Sequence, residues 1–125
     1  MPLRVIIVED NLIARELLKE MIEALGHQVV AEAEDLATTV AAYKQHKPDV
    51  LTIDLSLPTG DGLAILKALR RTDPKARAII ISGNSQARIR EEVLKAGAAN
   101  FLAKPIDLAA LRACLCKLFP HADNA

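Results

Sequence analysis

Neither sign of charge dominates this chain. Sixteen basic residues balance sixteen acidic ones, and the sequence pI is about 6.8. The sequence therefore has no basic stripe of the kind that binds nucleic acid through phosphate contacts. Long hydrophobic runs are also missing. The apolar stretch after Arg4, Val5 to Val8, is four residues, too short for a signal peptide or a membrane span, so the expected compartment is the cytoplasm and no membrane contact is expected. Only two cysteines occur, Cys114 and Cys116. On a helix they point about 200° apart, which argues against a disulfide, and no Cys or His partner has metal-site spacing. Cys114 falls in register with Leu111 and Leu118 as a small core residue, and Cys116 is expected to be more exposed. There is no internal repeat, low-complexity tract or linker.

What the sequence does have is an ordinary globular balance. Its 125 residues are 51% apolar and 26% charged, enough for one domain with a real core. Short β-rich runs alternate with longer helical ones. Strands are expected over Leu3–Val8, Gln28–Ala33, Val50–Ile53, Ala78–Ile81 and Asn100–Ala103. Between them, helices are expected over Leu12–Leu25, from Asp35 to Lys44, over Gly62–Arg70 and over Ala87–Ala96, with a last one after Asp107 that Pro120 stops. The first helix spaces Leu17, Leu18, Met21, Ile22 and Leu25 at three and four residues, with Asp10 or Asn11 as its cap and Gly26 at its end. The third carries Leu63, Leu66 and Leu69 along one side, and the last carries Leu108, Leu111, Leu115 and Leu118.

Five strands alternating with five helices imply parallel βαβ units with right-handed crossovers. The expected fold is α/β, a flavodoxin-like three-layer sandwich with strand order 2-1-3-4-5. The nearly all-apolar third and fourth strands belong at its centre. In such a sheet, ligands bind outside the carboxyl ends of the strands, at the switch between strands 1 and 3. Those ends carry the chemistry. Val5–Val8 runs into Glu9 and Asp10, and Val50–Ile53 ends at Asp54 before a Pro/Gly turn. Ala78–Ile81 ends at Ser82 and Gly83, and Asn100–Ala103 ends at Lys104 and Pro105. Three carboxylates, a hydroxyl and an ammonium then share one crevice, which suits phosphoryl transfer with a divalent metal. Asp10 can equally be only a helix cap, whereas a carboxylate ending a buried strand, as Asp54 does, needs a partner. Asp61 is expected to serve the turn or to cap the third helix. The histidines His27, His46 and His121 are scattered and expected to be solvated, and Tyr43 is expected to pack.

In this order, these residues resemble the receiver domain of two-component response regulators. The resemblance runs from Val5 to about Leu118. It rests on Glu9-Asp10, on Asp54 with Pro58 four residues on, on Asp61-Gly62, Ser82 and Gly97-Ala98, on Phe101 at the family's aromatic switch position, and on Lys104-Pro105. Gly60 stands where many members have a bulky apolar residue.

The resemblance makes the chain a signalling phospho-acceptor that assists its own phosphorylation and dephosphorylation, rather than an enzyme. Asp54 would take a phosphoryl group from a histidine kinase or histidine phosphotransfer protein to form an aspartyl phosphate. It assigns Mg²⁺ to Asp10, Asp54 and the backbone carbonyl of Ser56, with Glu9 acting through water. Lys104 and Ser82 would meet phosphoryl oxygens, and the Lys104–Pro105 bond would be cis. Phosphorylation adds about −1.5 to −2 charges. Ser82 would then move toward them and Phe101 would turn inward, reshaping the surface of the fourth helix, fifth strand and last helix. Ser56 and Asn84, near the site, are where the lifetime of the aspartyl phosphate would be set. The receiver domain is expected over residues 1–119, with 120–125 as a tail or the start of a linker. Two rivals use the same residues differently. A haloacid-dehalogenase phosphatase usually has a second acid two positions after its nucleophile, and Ser56 stands there. A phosphorylation-independent interaction module on the same fold would not need the acids, Ser82 and Lys104 together.

Overall fold

The computed structural model describes residues 2–55, 62–84 and 86–120. Among these residues strands and helices alternate: β1 (Arg4–Val8), α1 (Leu12–Ala24), β2 (Gln28–Ala33), α2 (Leu36–His46), β3 (Val50–Asp54), α3 (Gly62–Thr72), β4 (Ala78–Ser82), α4 (Ala87–Lys95), β5 (Asn100–Ala103) and α5 (Leu108–Leu118). The strands pair in parallel in the order β2-β1-β3-β4-β5. The fold is the expected flavodoxin-like sandwich.

Alternation along the strands sorts the core into two layers. Ile6, Val8, Leu51, Ile53, Ala78, Ile80 and Phe101 face one side, packed by Tyr43 of α2, Ile65, Leu66 and Leu69 of α3, and Val93 of α4. Val5, Ile7, Val50, Ile79 and Ile81 face the other, packed by Leu18 and Ile22 of α1 and Leu111, Cys114 and Leu115 of α5. Every residue of β3 and β4 is buried, as continuous apolar runs require when helices cover both faces. Each fully buried Ile or Leu contributes about 1.5–3 kcal/mol, so this floor fixes the strands in register.

The helix signals act as expected. Asn11 caps α1, its side chain accepting from the Ala14 amide at 2.9 Å. Asp35 and Asp107 do the same for α2 and α5. Gly26 follows α1 with φ of 87°, a conformation that favours glycine.

Some expectations fail. Leu17 belongs to the apolar stripe of α1 by spacing, yet it is 53% exposed, and Leu108 is exposed too. Leu18, Ile22 and Leu25 are buried in the core and Met21 packs against it, while Leu17 is left outside. On α3, Ile65 is buried while Leu63 is half-buried. His27 is buried, not solvated, because its Nδ1 accepts the Leu3 amide at 2.9 Å. His46 is half-buried, and His121 lies outside the described residues. Cys114 is buried and Cys116 less so, as expected.

Candidate functional site

Strand order reverses at β1 and β3, the neighbours at the centre of the sheet. Val8 pairs with Ile53 at the end of their ladder, so Glu9 and Asp54 leave adjacent strands side by side. Capping of α1 falls to Asn11, which leaves Asp10 to face the same crevice. One oxygen from each of Glu9, Asp10 and Asp54 lies within 4.8 Å of the other two. Glu9 and Asp54 are each only 5% exposed, whereas Asp10 is exposed.

Lys104 reaches in from the end of β5. Its Nζ lies 3.3 Å from Asp54 Oδ2 and 3.4 Å from Glu9 Oε1. One ammonium at these long distances offsets only part of three carboxylates. The electrostatics record the imbalance. Burial raises the Glu9 pKa above its ordinary value, and its hydrogen bond with Asp54 raises it further, against the lowering effect of the Asn11 amide. For Lys104, burial works against the charge, but the carboxylates of Asp54 and Glu9 outweigh it and hold the ammonium above its ordinary pKa. An all-oxygen acidic donor set with surplus negative charge fits a hard divalent cation such as Mg²⁺.

The remaining site residues lie close by. Ser82 is the last residue of β4 and is buried, with its Oγ accepting the Asn84 amide at 3.0 Å. The Lys104 amide donates to the Ser82 carbonyl at 2.8 Å, which ties the ends of β4 and β5 together. Phe101 is buried in the core with the Arg90 guanidinium 5.9 Å from its ring centroid. Its ring is thus already inward. The Lys104–Pro105 peptide is cis. The Ser56 carbonyl, the Asp61 turn or cap, and Pro58 and Gly60 lie outside the described residues.

Gly62 opens α3 against the backbone that carries Asp54. A Cβ there would lie 2.6 Å from Leu55 Cα and 2.8 Å from the Asp54 carbonyl oxygen. Only glycine permits this approach, so α3 begins directly behind the site.

Two residues near the site escape sequence reasoning. Arg15, one turn into α1, donates from Nη1 to the Glu9 carbonyl at 3.2 Å and to Glu34 Oε1 at 3.1 Å. It ties the β1–α1 turn to the end of β2. A single arginine on a helix gives no sign of this in the sequence. Thr52 is the one hydroxyl in the apolar run of β3, and that is a usable signal.

Comparison with known proteins agrees with this geometry. The sequence profile of the response regulator receiver domain matches residues 5–115. The chemotaxis protein CheY of Bacillus subtilis is 38% identical over 102 residues, covering 82% of this chain and 85% of that protein. The transcriptional regulatory protein PhoP of Escherichia coli is 35% identical over 106 residues, covering 85% of this chain and 47% of PhoP. Among solved structures, the CheX–CheY–BeF3–Mg²⁺ complex of Borrelia burgdorferi superposes with a TM-score of 0.90 at 29% identity, over 95% of this chain and 90% of that one. The acid pair, the strand-end aspartate and the lysine sit at the carboxyl edge of a sheet matched nearly end to end, and the chain belongs to the response regulator receiver domain family.

Proposed function

We propose that Asp54 accepts a phosphoryl group from a histidine kinase or a histidine phosphotransfer protein. The observation that carries this is the convergence of Glu9, Asp10 and Asp54 within 4.8 Å, with Lys104 touching two of them. Asp10, Asp54 and the Ser56 carbonyl would hold Mg²⁺, and Glu9 would reach it through water. Bound there, the cation neutralises charge on the cluster and on the phosphoryl oxygens. An Asp54 carboxylate oxygen attacks phosphorus as the bond to the donor imidazole breaks, forming an aspartyl phosphate. Lys104 already touches Asp54 and follows the charge onto a phosphoryl oxygen. The Ser82 hydroxyl, which accepts from Asn84, has its own proton to donate to another. The chain is a phospho-acceptor that assists its own phosphorylation and dephosphorylation. The receiver unit spans residues 1–119; the tail or linker expected over 120–125 falls, from residue 121 on, outside the described residues.

The output is a change on the surface of α4, β5 and α5. Since Phe101 is inward here, the switch is a bias toward an arrangement the protein already samples. A phosphoryl group that draws Ser82 toward Asp54 favours the inward ring through differential contacts. The downstream target is a protein that reads that surface. Among the described residues no helix is long and apolar enough to cross a membrane, and we place the protein in the cytoplasm beside its phosphoryl donor.

The test is incubation with a small-molecule phosphodonor, with and without Mg²⁺, read by intact mass on wild type and Asp54→Asn. A Mg²⁺-dependent gain of one phosphoryl group, absent in the variant, is the expected result. No gain in wild type would favour a phosphorylation-independent interaction module.

A further inference from the structure

Thr52 lies in β3 two residues before Asp54, so both side chains leave the same face of the strand. It is 2% exposed, and among the described residues its Oγ1 has no hydrogen-bond partner. It pairs with Ile7 on one side and Ile79 on the other, so the neighbouring backbone groups are engaged in the ladders. A buried hydroxyl without a partner is costly. Beside it lies a cavity of about 40 Å³, lined by Glu9, Asp54, Lys104 and Thr52 over a floor that includes Leu18 and Ile81.

Volume and lining select the occupant. One water needs about 10–15 Å³ and two to four polar partners, and both conditions are met. The space is too small for an organic ligand, and Lys104 in the wall disfavours a second cation. We propose that at least one water molecule sits there, hydrogen-bonded to the Thr52 hydroxyl and to the Glu9 and Asp54 carboxylates. Thr52 is thereby a positioning residue. Through the water it fixes the orientation of two carboxylates that face the crevice. The consequence for phosphorylation rests on the phospho-acceptor reading above, whereas the water itself does not.

Thr52→Val nearly preserves shape and removes the hydroxyl, and Thr52→Ser keeps the hydroxyl. A high-resolution crystal structure of the wild type should show a water within hydrogen-bond distance of Thr52 Oγ1. Calorimetric titration with Mg²⁺ alone should show Thr52→Val binding about tenfold more weakly, the low end of the range for outer-shell partners of metal ligands, with Thr52→Ser near wild type. A dry cavity, or Thr52→Val with unchanged Mg²⁺ affinity, would overturn the proposal. Mass gain from a phosphodonor on wild type separates the two readings. If wild type gains no phosphoryl group, the phospho-acceptor reading fails while the water and the Mg²⁺ shift stand on their own.

Discussion

The two ends of this sheet treat polar groups in opposite ways. At the amino end donors meet acceptors, with no crowding of like charges among the groups named. The Leu3 amide donates to His27 Nδ1 at 2.9 Å and the Arg4 amide to Asp49 Oδ2 at 2.8 Å. The Arg4 guanidinium donates to the His46 carbonyl at 2.6 Å. Arg77 donates to the Leu118 carbonyl and lies 4.8 Å from the Phe119 ring centroid. At the carboxyl end three carboxylates crowd together, one oxygen of each within 4.8 Å of the others, and one lysine reaches two of them at 3.3 and 3.4 Å, above a buried hydroxyl. Both ends rest on the same apolar floor, so the difference lies in the residues that leave the strands. One end is arranged for stability. The other holds repulsion that a cation or a phosphoryl group can relieve, and the core beneath it bears the cost.

Substitutions at each end should sharpen this contrast. The largest effect is expected from Asp54→Asn, which should abolish the phosphoryl gain seen by intact mass. It should also raise the denaturant midpoint of the Mg²⁺-free protein, because it removes one of the crowded charges. Next, His27→Leu leaves the Leu3 amide buried without an acceptor. Unfolding curves should show a loss of about 1–3 kcal/mol, with Mg²⁺ affinity unchanged. A change in Mg²⁺ affinity would break the separation of the two ends. Lys104→Met should lower Mg²⁺-free stability by about 1 kcal/mol, small because the ammonium is partly exposed. Added Mg²⁺ should then stabilise this variant more than wild type.

The smallest effect should come from Tyr43→Phe, at the amino end, where α2 and α3 run out toward the starts of β3 and β4. The Tyr43 hydroxyl donates to Asp73 Oδ2 at 2.7 Å. Burial, and then the hydrogen bond to Asp73, push the Tyr43 pKa up to about 12, while the same bond holds Asp73 below its ordinary value of 3.8. A raised phenol pKa stabilises the fold below its ordinary value of 10.0 and loses that contribution as pH rises through about 12. A lowered carboxylate pKa stabilises above the ordinary carboxylate value and loses its contribution as pH falls through the folded one. The stability gap between wild type and Tyr43→Phe should therefore be flat across neutral pH and shrink at both extremes. A gap that varies near pH 7 would contradict the pairing.

Much of this was legible in the sequence because the strands speak for themselves. Val50–Ile53 and Ala78–Ile81 are apolar without interruption, which places them at the centre. The residues that end them, Asp54 and Ser82, are the last residues of their ladders. The acid pair follows the strand that must neighbour Asp54, so Glu9 and Asp10 converge on it by topology alone. What could not be read depends on partners far along the chain. His27 is buried because Leu3, just before β1, offers it an amide. Leu17 has the spacing of a core residue, but nothing local says that it is left outside the core. Arg15 reaches the Glu9 carbonyl across a turn, and Phe101 is inward because of packing around it. Thr52 was visible as a hydroxyl in an apolar run, but its lack of a partner needs the surrounding space.

The most direct test of the contrast is a pair of denaturant unfolding series on wild type and Asp54→Asn, each without and with Mg²⁺. Wild type should be the less stable of the two without the cation and should gain clearly more from it. Asp54→Asn less stable than wild type without Mg²⁺, or an equal gain in both, would contradict the claim that the carboxyl end of this sheet holds repulsion for a cation to relieve.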